Sequence, residues 1–156
     1  MALPLTSIYS APVPSALYSR DILRLAASIP HLGRLAAPEA SVEKSSLVCG
    51  SRVAVDLVLD GEGRVAALGQ EVKACALGQA SASLMAAHAP GRTAQELSEA
   101  SESLAAFLAG ARDDPGAWPG LEVFAHARPF PARHGSILLA FEAAAEAAAA
   151  AAAKRG

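Results

Sequence analysis

Only two cysteines, Cys49 and Cys75, occur in the 156-residue chain. Two thiols are half of the usual four-ligand zinc or iron–sulfur site, so any such site needs donors from elsewhere. An excess of either charge is also missing. The formal net charge is −2 with the signs interspersed, which marks no nucleic-acid face and no polybasic membrane patch. Although 53% of the residues are hydrophobic, much of that share is alanine, and no segment is read as a transmembrane span. Residues 1–14 have no basic leader and are interrupted by Pro4, Pro12 and Pro14, so no secretory signal is expected. The cytoplasm, a reducing compartment, is the expected setting, where a pair of cysteines is buried, metal-binding or reactive rather than a structural disulfide. The G-x-S-x-G elbow, the P-loop and a strand-following G-x-G-x-x-G are absent, which removes the common hydrolase and nucleotide-binding signatures.

What is present reads as one domain. Residues 1–15 suggest a flexible arm, rich in proline and small residues. Tyr18, Ile22, Leu25 and Ile29 lie on one helical face that Pro30 and Gly33 end. Val53, Val55, Leu57 and Leu59 alternate with Ala54, Asp56 and Val58, a turn follows at Asp60 to Gly63, and residues 64–72 run back. With a first strand expected over residues 44–48, this makes a three-stranded antiparallel sheet. After Cys75 the spacing of Leu77, Ala80, Leu84 and His88 is helical until Pro90 and Gly91. Thr93 and Glu96 form a capping-box pattern for a helix carrying Leu97, Ser101, Leu104 and Leu108, closed by Gly110. Residues 111–120 suggest an exposed loop in which Trp118 packs locally. A last helix starts near Pro131, and its alanine run, with little to pack against, is expected to project as a tail over residues 143–156.

The free N–H groups of a helix start make a cysteine there easier to ionise, and the thiolate is the form that binds metal or attacks sulfur. Cys75 is the better-poised thiol on this ground. Cys49 precedes Gly50, which permits a tight loop at a strand end. The plainer reading makes each cysteine a small buried hydrophobe. Their placement at opposite ends of one hairpin favours a shared site.

Several stretches resemble the IscU/NifU-type iron–sulfur cluster assembly scaffold family. They are Cys49-Gly50, the two strands around residues 60–63, and the helix entry Ala74-Cys75-Ala76-Leu77-Gly78-Gln79-Ala80-Ser81. Residues 18–33 are similar to the family's first helix and proline–glycine loop, and residues 90–97 to its segment after the cysteine helix. The resemblance covers residues 17–142 and implies an α+β fold, SufE/NifU-like, with a small three-stranded antiparallel sheet and helices packed on it. The corresponding division is an arm over 1–15, a scaffold domain over 16–142 and a helical tail over 143–156.

The resemblance also implies three cysteines and an aspartate as cluster ligands. Cys49 and Cys75 match two of them, whereas Ser51 stands at the aspartate position and Ser136 at the third cysteine. Serine is a poor ligand for soft metals. His134, two residues before Ser136, is a further candidate donor, His31 could approach if its loop folds over the site, and Lys73 could stabilise an anionic sulfur. The expected role is thus a non-enzymatic scaffold holding iron or a labile iron–sulfur cluster through Cys49 and Cys75, as a homodimer and alongside a cysteine desulfurase and other assembly proteins. Alternatives are a persulfide sulfur acceptor, a zinc-bound activator of a desulfurase, and a degenerate, metal-free partner-binding module.

Overall fold

The computed structural model describes residues 15–48 and 50–155. The expected N-terminal arm falls on residues 1–14 outside this range, apart from Ser15, which opens a short 3-10 turn, Ser15–Tyr18. Helix α1, Arg20–Ala27, starts where the Ser19 hydroxyl accepts from the Ile22 N–H at 3.3 Å, and it buries Ile22. Three strands follow, β1 Ala40–Ser45, β2 Arg52–Leu59 and β3 Val65–Lys73. They pair antiparallel in sequence order, with Val42 opposite Val55 and Val55 opposite Gln70.

Strand β1 starts earlier than the pattern predicted and stops before Leu47. The apolar pair Leu47 and Val48 is 99% and 77% exposed in a turn. That turn is closed by the Ser46 N–H donating to the Ser51 carbonyl at 2.8 Å and the Gly50 N–H donating to the Ser46 carbonyl at 2.9 Å. Hydrophobicity pointed to a strand there, but turn closure ended the ladder.

Alternation along β2 sends Val53, Val55, Leu57 and Leu59 into the core. The opposite face carries Arg52, Ala54 and Asp56, and residues 30–35 fold over part of it. Asp56 is 1% exposed and accepts from Arg34 Nε and Nη2 at 2.8 Å each, from the Leu35 N–H at 3.0 Å and from Ser41 Oγ at 2.6 Å. The bidentate Arg34 bond, ahead of the others, holds the Asp56 carboxyl down at about 2, against the opposing effect of burial. The same loop runs along β3, where the Gly33 N–H donates to the Gln70 carbonyl and the Gln70 N–H to the His31 carbonyl.

Helix α2, Ala76–His88, is built from small residues and is buried nearly all round, between α1 and the last helix. In α3, Ala94–Leu108, both halves of the capping box form: Thr93 Oγ1 accepts from the Glu96 N–H and Glu96 Oε1 from the Thr93 N–H, each at 3.1 Å. The loop after α3 is less exposed than its composition suggested. Trp118 is 5% exposed, donates from Nε1 to the Leu84 carbonyl at 3.0 Å and stands edge-on to Phe141 at 5.4 Å. A 3-10 stretch, Leu121–Ala127, adds Leu121 and Phe124 to the core.

Helix α4, His134–Lys154, corrects the expectation of a projecting tail. Ala143, Ala144, Ala147, Ala148 and Ala151 are fully buried, because the helix lies along β1 and β2 and against α2 and α3. Alanine loses no side-chain entropy on burial, and its size lets neighbours come close. The C-terminal end is tied down: Arg155 bonds the Glu39 carboxylate at 2.8 Å and the carbonyls of Leu59 and Asp60. Arg155 in turn draws the Glu39 carboxyl below its ordinary value. Pro131–Lys154 is long and apolar enough to cross a membrane by length and composition alone, and in this fold most of its apolar side chains face the core.

Candidate functional site

Three chain segments converge at one end of the sheet: the turn from β1 to β2, the strand end that leads into α2, and the first turn of α4. Cys75 is the N-cap of α2, with extended backbone and no side-chain bond to the helix N–H groups. It is partly exposed. Its sulfur lies 3.3 Å from Ser136 Oγ, and Ser136 Oγ lies 3.1 Å from Ser51 Oγ. The two serines are 2% and 4% exposed, so a hydroxyl pair shielded from water backs the thiol of a partly buried residue.

Close packing of α2 on α4 sets this geometry. Gly78 sits one turn after Cys75, and a Cβ added there would come within 2.5 Å of Ser136 Oγ and 2.6 Å of the Ala74 Cβ. Ser81, the next residue on the same face, donates its hydroxyl to the Ile137 carbonyl at 2.5 Å. The absence of a side chain at 78 therefore gives the Ser136 hydroxyl its place beside Cys75.

Of the residues singled out in the sequence, Ser51, Cys75 and Ser136 come together, although they are far apart in the chain. Cys49 lies outside the described residues. His134 Nε2 is 2.9 Å from the Ala127 carbonyl, an arrangement that requires this nitrogen to be the donor and leaves Nδ1 as the ring nitrogen with a lone pair. His31 has its carbonyl committed to β3 and its backbone at φ 58°. Lys73 ends β3 directly opposite Arg52, so the two exposed cations share a row of the sheet at its cysteine end. Arg52 carries no signal of its own in the sequence, and only the strand register couples it to Lys73. A cleft of about 470 Å³ on the outer face is walled in part by these two cations, Leu32, Gly33, Glu43 and Glu71.

Among the described residues, no three His, Cys, Asp or Glu side chains converge on a point where a metal would sit. The serines at 51 and 136 each present a neutral hydroxyl, a poor donor for a soft metal. Among the described residues zinc has no ready ligand set, and a zinc-bound form is not supported.

No family model and no curated protein sequence matches the chain. Solved structures do. A nitrogen-fixing NifU-like protein (N-terminal) from Brucella abortus is 37% identical, with a TM-score of 0.85 over 90% of this chain and 97% of that one. A putative iron–sulfur cluster assembly scaffold protein for the SUF system from the thermophilic Fervidobacterium islandicum AW-1 is 23% identical, with a TM-score of 0.79 over 87% of this chain and 99% of that one. The second likeness bears on the fold alone.

Proposed function

The chain belongs to the NifU-like N-terminal family of iron–sulfur cluster assembly scaffolds, as a diverged member, and from that premise we propose that it carries iron or a labile iron–sulfur cluster on the thiolates of Cys49 and Cys75. The cluster or iron is cargo, and the protein's role is that of a non-enzymatic scaffold. The observation that carries the reading is the placement of Cys75, a partly buried residue at a helix start whose thiol is backed by Ser136 and Ser51. Hydroxyls are poor ligands for soft metals, so one chain offers two thiolates and little else. Two chains supplying two thiolates each would complete a four-thiolate set, and a cysteine desulfurase would provide the sulfur.

The test is anaerobic reconstitution with ferrous iron and sulfide, reading iron, acid-labile sulfide and visible absorption beside Cys75→Ser and Cys49→Ser. Cluster retained by the parent and lost in both variants, with the loaded form sizing as a dimer, is the expected result. Retention unchanged in Cys75→Ser would sink the reading.

A second reading, a sulfur acceptor, is favoured by the position of Cys75 at a helix N-terminus, where the thiolate is easier to form. The Cys75 thiolate would attack the outer sulfur of a protein persulfide, forming a new S–S bond while the donor S–S bond breaks. The electron pair leaves with the donor thiolate, so there is no net oxidation. Incubation with a desulfurase and cysteine, followed by mass spectrometry of the Cys75 peptide, separates the two. A persulfide on Cys75 without cluster retention selects the acceptor.

A further inference from the structure

We infer that Ser136, oriented by Ser51, is the positioning residue of Cys75, and that its hydroxyl donates to the Cys75 sulfur whenever that sulfur is loaded. The inference rests on the reading that Cys75 carries the cargo. It begins from proton bookkeeping at three atoms. A serine hydroxyl has one proton and two lone pairs. In the unloaded thiol either sulfur or oxygen can be the donor across the 3.3 Å contact. A sulfur bonded to iron or to a second sulfur has no proton and only accepts, which forces the Ser136 proton toward it. Ser136 then has only lone pairs to offer to Ser51, whose hydroxyl stands 3.1 Å away and supplies the donor.

Burial sharpens this relay. With Ser136 2% exposed and Ser51 4% exposed, water does not compete for either oxygen. The bare Cα of Gly78 accommodates the Ser136 hydroxyl against α2, where a methyl group would collide with it at 2.5 Å. Cys75, by contrast, makes no capping bond with its own helix, and among the described residues Ser136 is the hydrogen-bonding partner of its sulfur. The two serines do not ligate the cargo. They aim the thiol and place a hydrogen-bond donor against the charge that loading brings.

The test uses the full chain without cargo first. In NMR spectra of the parent, the two Cys75 Hβ protons are expected to couple unequally to Hα, the mark of one held rotamer. In Ser136→Ala the inequality should be lost while the backbone amide spectrum away from the site is retained. Ser51→Ala should reduce the inequality by less, and it decides the matter alone if Ser136→Ala does not fold. Reconstituted with iron and sulfide, Ser136→Ala should show a more negative midpoint potential than the parent, because hydrogen bonds to cluster sulfurs raise the potential. Couplings that stay unequal in both variants would overturn the inference. A parent that keeps unequal couplings, loses them in Ser136→Ala and yet retains no cluster would refute the cargo reading and leave the positioning role standing.

Discussion

Replacing Gly78 by alanine sets two physical effects of opposite sign against each other. In an exposed helix interior the change stabilises by about 0.8–1.0 kcal/mol, because glycine is the more flexible residue in the unfolded chain. At this site the added Cβ meets Ser136 Oγ at 2.5 Å, the Ala74 Cβ at 2.6 Å and the Ser136 carbonyl oxygen at 3.2 Å. The carbonyl belongs to the backbone of α4, so relief requires the two helices to separate. Overpacking of this kind costs about 1–3 kcal/mol, and the close contacts on two elements place it in the upper part of that range. The expected net effect is a loss of about 1–2 kcal/mol. Urea unfolding followed by circular dichroism should show the midpoint falling by about 0.5–1 M at unchanged slope. The double variant Gly78→Ala/Ser136→Ala removes one of the colliding atoms and should be less destabilised than the two single losses added together, by about 1 kcal/mol. A midpoint that rises in Gly78→Ala, or strict additivity in the double variant, would refute the tight α2–α4 approach on which the Cys75 site depends.

Asp56→Asn should lower stability at neutral pH by about 2 kcal/mol, since it replaces a carboxylate held by a bidentate arginine. Because the folded carboxyl is held at about 2 against an ordinary 3.8, its contribution of about 2.5 kcal/mol is fully present above about pH 4 and is lost as pH falls through 2. Urea titrations from pH 5 to pH 2 should therefore show an acid slope that is reduced in Asp56→Asn, and an unchanged slope would count against the ion pair. Ala147→Leu should cost about 1–3 kcal/mol in calorimetry, because this position is fully buried, whereas a freely projecting helix would leave the melting temperature unmoved. Thr93→Ala should cost about 1 kcal/mol by losing the cap of α3, and an effect below about 0.3 kcal/mol would argue that the box contributes nothing.

Local rules make several elements legible in the order of residues alone. Alternation over residues 53–59 and the Asp60–Gly63 turn specify β2 and its hairpin with β3, Thr93 and Glu96 specify the start of α3, and Cys75 falls at a helix start because the period changes there. The resemblance of the Cys49 and Cys75 stretches to one family pattern, with Ser51 and Ser136 as departures from it, is likewise drawn from residue order. Other features are not, because they depend on segments distant in the chain. The alanine run reads as having nothing to pack against until β2, α2 and α3 close around it. Trp118 lies in a segment of turn residues, and only the Leu84 carbonyl and the Phe141 ring make it a core residue. Leu47 and Val48 read as strand but are left exposed by a turn whose closing bond comes from Ser46 and Ser51. Sequence alone therefore determined the elements whose signals lie within one turn or one hairpin, and the type of chemistry available at the cysteines. Tertiary packing decided that Ser51, Ser136 and Cys75 form a contiguous polar chain and that His134 Nε2 bonds the Ala127 carbonyl, because hydrogen bonds across 61 and 85 residues depend on how α2, α4 and the β1–β2 turn meet.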